Sequence, residues 1–279
     1  MLHHSRPHRR PKRSLSTSSA ARLAPPRTAD HNRAELISGT NDMTKQAGHS
    51  AAELKKLAAF DTPTMCNVME VLAPQRRGYG FTTEPLQCIY PDLPPIVGHA
   101  RTGTIRATHP SHLTAEQQKS LRLAWYEYVD RGPKPAIVVL QDLDGARAGF
   151  GSFWGEVNSH IHRGLGCLGV VTNGSIRDIP MNARGFQMLS GSVMPSHAWV
   201  HIVDIGVPVT VAGMAVKDGD LVHADRHGAI VIPHDAVGQV GRTAALLAKR
   251  EAVIIGAAKR KGFSFEELRA AIVEADEIH

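Results

Sequence analysis

Three cysteines in 279 residues is few, and Cys66, Cys88 and Cys167 stand far apart with no CxxC pair. That excludes a disulfide scaffold and a structural zinc knuckle, and it fits a reducing compartment. No apolar run approaches the length of a membrane span: the longest, such as Ala136–Leu140, are a fraction of it. No membrane partner is expected. There is no internal repeat and no linker-like stretch after residue 42. The first 29 residues hold no acid.

That last absence explains the charge. Residues 1–42 carry eight Lys/Arg against three Asp/Glu, so nearly all of the formal +6 sits there and the remainder is close to neutral. A basic surface on the folded part is therefore not expected, nor is a nucleic-acid partner. The segment is rich in Arg, Ser, Pro and His and has too few apolar residues to bury itself. It reads as a disordered basic tail, a mitochondrial-type transit peptide, or an upstream extension with translation starting at Met43. Pro7, Pro11, Pro25 and Pro26 interrupt the amphipathic helix that a transit peptide needs. A cytoplasmic protein is expected, mitochondrial if the segment is a real transit peptide. The folded domain is assigned to residues 43–279.

Within it, Ala51–Phe60 reads as an amphipathic helix, and Thr62-Pro63 opens a second with Thr62 as N-cap. Short alternating strands are predicted over His99–Thr108 and a helix over Ser120–Asp130. Ala136–Leu140 and Leu168–Thr172 are short β-branched runs, the pattern of strands buried on both faces. Between them, after a loop holding Gly145, Gly149 and Gly151, lies a helix over Trp154–Arg163, closed by Gly164 at C′. A strand–helix–strand unit of this kind implies parallel strands. Next comes a short helix over Ile179–Arg184, closed by Gly185. Val200–Pro233 alternates and is broken by Asp218-Gly219-Asp220 and His227-Gly228, which reads as antiparallel hairpins. The C-terminus is helical, over Ala236–Glu251 and then from the capping box Ser264-x-x-Glu267. The fold class is α/β, a single domain with a substantial antiparallel part.

One edge of this layout concentrates chemistry. The helix opening at Gly155 comes after a buried strand, so its N-terminus should face the carboxyl end of the sheet, where ligands bind. Its free N–H groups, from Glu156 through Val157 to Asn158, favour an anion. The next strand, breaking at Asn173-Gly174, should deliver Arg177 and Asp178 to the same edge. A guanidinium fork suits the carboxylate of a 2-oxo acid. A single carboxylate suits a hard ion such as Mg²⁺ that keeps its waters. Such an ion would act as a Lewis acid and stabilise an enolate, with Glu156 as the proton acceptor directly or through water. The bland reading stands beside it: Asp178 caps the helix starting at Ile179, Arg177 is a surface cation, and Glu156 is a first-turn acid. By spacing alone the cap is favoured. His197 and His201, four apart, could share a face, but a zinc site usually takes three or four protein ligands. With sixteen histidines chance pairs are expected. A role for the pair in substrate selectivity stays open.

Twenty residues separate Glu156 from Arg177-Asp178, and this resembles the acid-x20-Arg-Asp signature of the RraA-like family. Val216–Pro233 (VKDGDLVHADRHGAIVIP) resembles that family's Pro-Gly-Asp…Ala-Asp…Gly-Val…Pro block, and Phe60–Leu72 its first helix. The similarity covers roughly residues 50–255 in three ordered blocks. The family includes class II 4-hydroxy-4-methyl-2-oxoglutarate / 4-carboxy-4-hydroxy-2-oxoadipate aldolases and oxaloacetate decarboxylases. The resemblance implies a swivelling β/β/α fold assembled as trimers or hexamers with sites between subunits. It implies that Gly155–Asn158 bind the substrate carboxylate, that Arg177 contacts the substrate and that Asp178 holds Mg²⁺ or Mn²⁺. Glu156 would order a metal-bound water. Glu251 is a weak match to a carboxylate that relatives borrow from the neighbouring subunit. Asn173 replaces the usual Asp of the Asp-Gly turn, and Val157-Asn158 replaces a Leu-rich pair. Other relatives are inhibitors of a ribonuclease, which makes a non-catalytic regulator the alternative. Some carry a methyltransferase label, but no glycine-rich loop joins a strand directly to a helix here to support a methyl-donor site.

Overall fold

A computed structural model describes residues 49–279; the extension over residues 1–42 lies outside the described residues. The chain opens with helices α1 (Ala51–Leu57) and α2 (Thr62–Leu72), then β1 (Gln87–Cys88), β2 (Ile96–Arg106) and helix α3 (Ala115–Arg131). Next come β3 (Ala136–Asp142), β4 (Ser152–Trp154), helix α4 (Glu156–Gly164), β5 (Cys167–Ile176) and β6 (Gln187–Val193). Short strands β7 (His201–Ile205), β8 (Val209–Val211), β9 (Met214–Val216), β10 (Leu221–Asp225) and β11 (Gly228–Ile232) lead to helices α5 (Val240–Ala258) and α6 (Phe265–Asp276).

The architecture is mixed α/β. Nine strands form one sheet in the order β1-β6-β5-β3-β2-β10-β11, with β4 paired to β5 and β7 to β2; β8 and β9 make a separate hairpin. The β2, β3, β5 and β6 strands run parallel, while β10 and β11 pair antiparallel beyond β2. The continuous apolar runs sit where both faces are covered. Ile137 and Val139 of β3 pack with Val171, Val211 and Met214 on one face. Val138 and Leu140 pack with Trp125, Trp154 and Phe186 on the other. A third cluster joins α1 and α2 to β10, β11 and α5.

Several boundaries differ from the sequence expectation, each for a local reason. The cap of α2 is Asp61, whose side chain accepts the Thr64 N–H; Thr62 is instead buried, its hydroxyl bonded to Nδ1 of His223. The region around His99 is not a set of short alternating strands but one strand of eleven residues, buried except at Arg106, because α-helices cover one side and β8–β9 the other. Helix α3 begins earlier, at a capping box between Thr114 and Gln117. Trp154 belongs to β4 and not to the helix after it. Gly164 is the last residue of α4, and the left-handed glycine beyond it is Gly166, at φ 83°. The helix expected over Ile179–Arg184 is a single 3-10 turn over Ile179–Met181. Helix α5 starts after a 3-10 turn and runs on past Glu251 to Ala258. The Ser264–Glu267 capping box is present as expected.

Candidate functional site

The strand β5 does not end at Asn173-Gly174. The Asn173 amide accepts the Asp142 N–H at 2.8 Å and donates to the Asp142 carbonyl at 3.0 Å, so the side chain stands in for main-chain pairing with β3. The strand bulges there and resumes, pairing Ser175 and Ile176 with β6. The expected Asn-Gly turn is therefore a bulge within a strand, a device that re-aims the residues beyond it. Here those residues are Arg177 and Asp178.

Strand β4 brings the partner group. Trp154 lies opposite Ile176 in parallel register, and the Arg177 N–H donates to the Trp154 carbonyl at 3.0 Å. Both chains leave the sheet at this point, Gly155 into α4 and Arg177 into the 3-10 turn. A Cβ on Gly155 would sit 2.6 Å from Asp178 Oδ2 and 3.2 Å from Arg177 Cγ. Glycine thus lets the two segments touch; its φ of −174° is extended backbone open to any residue.

Asp178 does not cap the turn that follows it. Its backbone is left-handed, at φ 55° and ψ 33°, and its side chain makes no capping bond to its own helical turn. Oδ2 instead accepts the Glu156 N–H at 3.3 Å and lies 3.5 Å from Arg177 Nε. One of the N–H groups expected to bind substrate is therefore taken by Asp178, while its Oδ1 has no partner among the described residues. A left-handed non-glycine residue at a cleft is the kind of strain that marks functional sites.

The surrounding bonds fix these groups. The Asn182 amide donates to the Arg177 carbonyl at 3.0 Å, and the Ala183 N–H donates to Ser159 Oγ on α4 at 2.9 Å. Asn158 donates to the Phe153 carbonyl at 2.6 Å and accepts from Tyr126 of α3 at 2.8 Å. Its side chain is thus structural. On the buried side of α4, His162 donates from Nδ1 to the Asn158 carbonyl and accepts at Nε2 from Trp125 Nε1. Both ring nitrogens are spoken for in the neutral form, and burial holds its pKa down to about 4.

The result is a cleft of about 610 Å³ between α3, α4 and the approach to β7. Gly155, Glu156, Val157, Asn158, Arg177 and Asp178 all line it. So do His197 and His201, which the sequence could only pair by spacing. His197 Nε2 lies 2.7 Å from an Arg177 NH2 nitrogen; a guanidinium only donates, so Nε2 accepts. The loop carrying His197 is held by Ser152 N–H to the Ser196 carbonyl, Trp199 N–H to the Ala107 carbonyl, and close packing of Gly151 on the His197 backbone. Glu251 does not line the cleft; it is exposed on α5. Sequence reasoning missed the walls from α3, whose signal, the Leu121–Tyr126 face of a helix, marks nothing by itself.

No cluster of three or more His, Cys, Asp or Glu that could hold a metal exists among the described residues, which speaks against a zinc-type site. A single carboxylate with one unengaged oxygen, about one-third exposed, does suit a hard ion that keeps waters and takes ligand oxygens. Asp178 is the residue that would hold it.

A mixed sheet, one of whose parallel strands ends in an arginine–aspartate pair beside a helix N-terminus, defines an α/β protein with a polar cleft at one sheet edge. Residues 64–231 match the family model described as "RraA-like: Aldolase/RraA", and the chain belongs to that family. In sequence, 121 residues are 26% identical to Protein DlpA of Legionella pneumophila subsp. pneumophila, covering 40% of this chain and 18% of DlpA. The chain thus spans under a fifth of that relative. In structure, an uncharacterized protein from Pseudomonas syringae pv. tomato matches with a TM-score of 0.58 at 21% identity, over 80% of this chain and 98% of that one. Streptomyces coelicolor RraAS2, called an unusual member of the RNase ES inhibitor RraA protein family, matches with a TM-score of 0.57 at 20% identity, over 76% and 98%. These likenesses establish the fold. Among the described residues no helix is long and apolar enough to cross a membrane.

Proposed function

We propose that the chain is a divalent-metal-dependent lyase that releases pyruvate from a small 4-hydroxy-2-oxo acid, decarboxylates oxaloacetate, or does both. The observation that carries this reading is the position of Asp178: its carboxylate turns away from its own helical turn and into the cleft beside Arg177 and Glu156. Arg177 binds the substrate carboxylate through its guanidinium, whose orientation His197 fixes. The free N–H groups at Val157 and Asn158 add positive potential at the same end. Asp178 would hold Mg²⁺ or Mn²⁺. When bound, the ion would supply positive charge at the substrate oxygens where negative charge builds as the departing group leaves. Glu156, exposed in the first turn of α4, accepts the proton from the 4-hydroxyl directly or through water.

The reading carries an assembly with it, a homotrimer or homohexamer. Exposed Val157, Met181 and Trp199 belong to segments that build the cleft, and an apolar rim of that kind suits a subunit contact. The rival reading, a non-catalytic regulator of a ribonuclease, draws on the kinship with RraAS2 and requires no polar cleft. The test is pyruvate release from oxaloacetate and from 4-hydroxy-4-methyl-2-oxoglutarate, before and after chelation with EDTA. Turnover that survives chelation, or no release from any 2-oxo acid, contradicts the lyase.

A further inference from the structure

The reaction just proposed uses one end of the cleft. At that end stand Glu156, Arg177, Asp178 and His197. The rest is walled by Leu121 and Tyr126 of α3, Phe153 of β4, Ile161 of α4, and Val200 and Ile202 at β7. Phe153 and Ile202 are buried, and Ile161 lies more than one helical turn from the Gly155 end. The few non-hydrogen atoms of a pyruvyl group leave most of about 610 Å³ unfilled.

Four polar side chains share that half, Gln118, Arg122, Tyr126 and His201, and Gln118 and His201 already each hold a main-chain carbonyl. The Tyr126 hydroxyl donates to Asn158 Oδ1, so it has no proton left for a ligand. His201 Nδ1 lies 2.7 Å from the Trp199 carbonyl, which only accepts, so Nδ1 carries a proton. A carboxylate there would give up water against walls that are mostly apolar. Arg122 is the remaining cation in the lining, and it is exposed at the rim. A hydrocarbon or aromatic group would instead gain from leaving water.

Resting on the lyase reading above, we propose that the substrate is a 4-hydroxy-2-oxo acid whose C4 carries an apolar aliphatic or aromatic group in place of a second carboxylate. The oxo-acid end lies at Arg177 and Asp178, and the C4 substituent lies along Leu121, Phe153 and Ile161. In the reaction the 4-hydroxyl loses its proton and becomes a carbonyl. The C3–C4 bond breaks, its electron pair goes to C3, and C3 takes up a proton. The products are pyruvate and an apolar aldehyde or ketone, with no oxidant or reductant consumed.

The experiment compares kcat/KM of the Mg²⁺-loaded full chain on 4-hydroxy-2-oxo-4-phenylbutanoate, which yields benzaldehyde and pyruvate, and on 4-hydroxy-4-methyl-2-oxoglutarate. The expected preference for the phenyl substrate is about tenfold or more. Ile161→Asp lowers it. Because Ile161 is partly buried, Arg122→Gln serves as a second variant at an exposed position and leaves the preference unchanged. A preference for the dicarboxylate, above all one that Arg122→Gln removes, overturns the inference, as does an equal kcat/KM on both. Oxalate binding by calorimetry, with Mg²⁺ present, separates the two levels. Oxalate bound by the wild type and not by Arg177→Ala, with the dicarboxylate preferred, sinks the apolar-tail inference alone. Neither oxalate binding nor pyruvate release from either substrate sinks it together with the lyase.

Discussion

The carboxylate of Asp178 accepts the backbone N–H of Glu156 at 3.3 Å, and so closes the N-terminus of a helix twenty-two residues upstream. The aspartate is a cap, but across the fold and not to its own turn. That bond joins the two segments that the sequence places far apart, and it leaves Oδ1 without a partner among the described residues.

Asp178→Asn keeps the left-handed backbone, which asparagine tolerates, and keeps an acceptor for the Glu156 N–H. It removes the charge that holds the ion. The expected result is a fold unchanged by thermal melting, with pyruvate release down by about a hundredfold or more, the scale of losing one preorganised charge-stabilising group.

Gly155→Ala adds a methyl group at a permitted backbone angle, but 2.6 Å from Asp178 Oδ2. The carboxylate and guanidinium must move apart. Turnover should fall by about a hundredfold, the cost of roughly an ångström of misplacement, with little change in melting temperature. Steady-state kinetics beside a melting curve checks both halves.

His197→Gln keeps an oxygen that accepts from Arg177, whereas His197→Ala leaves the guanidinium free to swing. The alanine variant should raise KM for the 2-oxo acid by about tenfold, the worth of one charged hydrogen bond, and the glutamine variant should recover most of that loss. Equal KM in both variants denies His197 its positioning role.

How far the sequence revealed this site depends on which contacts were local. The continuous runs at Ala136–Leu140 and Leu168–Thr172 announce buried strands because both faces are covered, and the Ser264–Glu267 box announces a helix start because the cap lies within four residues. Glu156 and Arg177-Asp178 were legible through a family spacing. The bulge at Asn173 was not, because it depends on Asp142 of a neighbouring strand, and Asn-Gly is ordinarily a turn. Nor was β4, three residues long, which only pairing with β5 makes a strand. His197 was underweighted for the same reason: its partner is twenty residues away and its loop is shaped by contacts with Gly151 and Ala107.

Below the site, His162 ties stability to pH. Its pKa is about 4 in the folded chain, against an ordinary value near 6.5 when unfolded. The unfolded chain therefore binds the extra proton first as pH falls. The stabilisation is complete above about pH 6.5 and is lost towards pH 4, at about 1.4 kcal/mol per pH unit across that window. Buried His223, whose pKa burial also lowers, acts with the same sign. Urea unfolding at several pH values should show this slope, reduced by about one proton in His162→Gln, whose amide oxygen still accepts from Trp125.

The central claim is that Asp178 holds the ion on which pyruvate formation depends. The most direct measurement is a titration of Mg²⁺ into metal-stripped protein, with pyruvate followed continuously, for the wild type and for Asp178→Asn. The account predicts that the wild type gains activity along a saturable curve and that the variant stays inactive across the same range. Activity in the stripped wild type, or a variant that Mg²⁺ restores along the same curve, contradicts it.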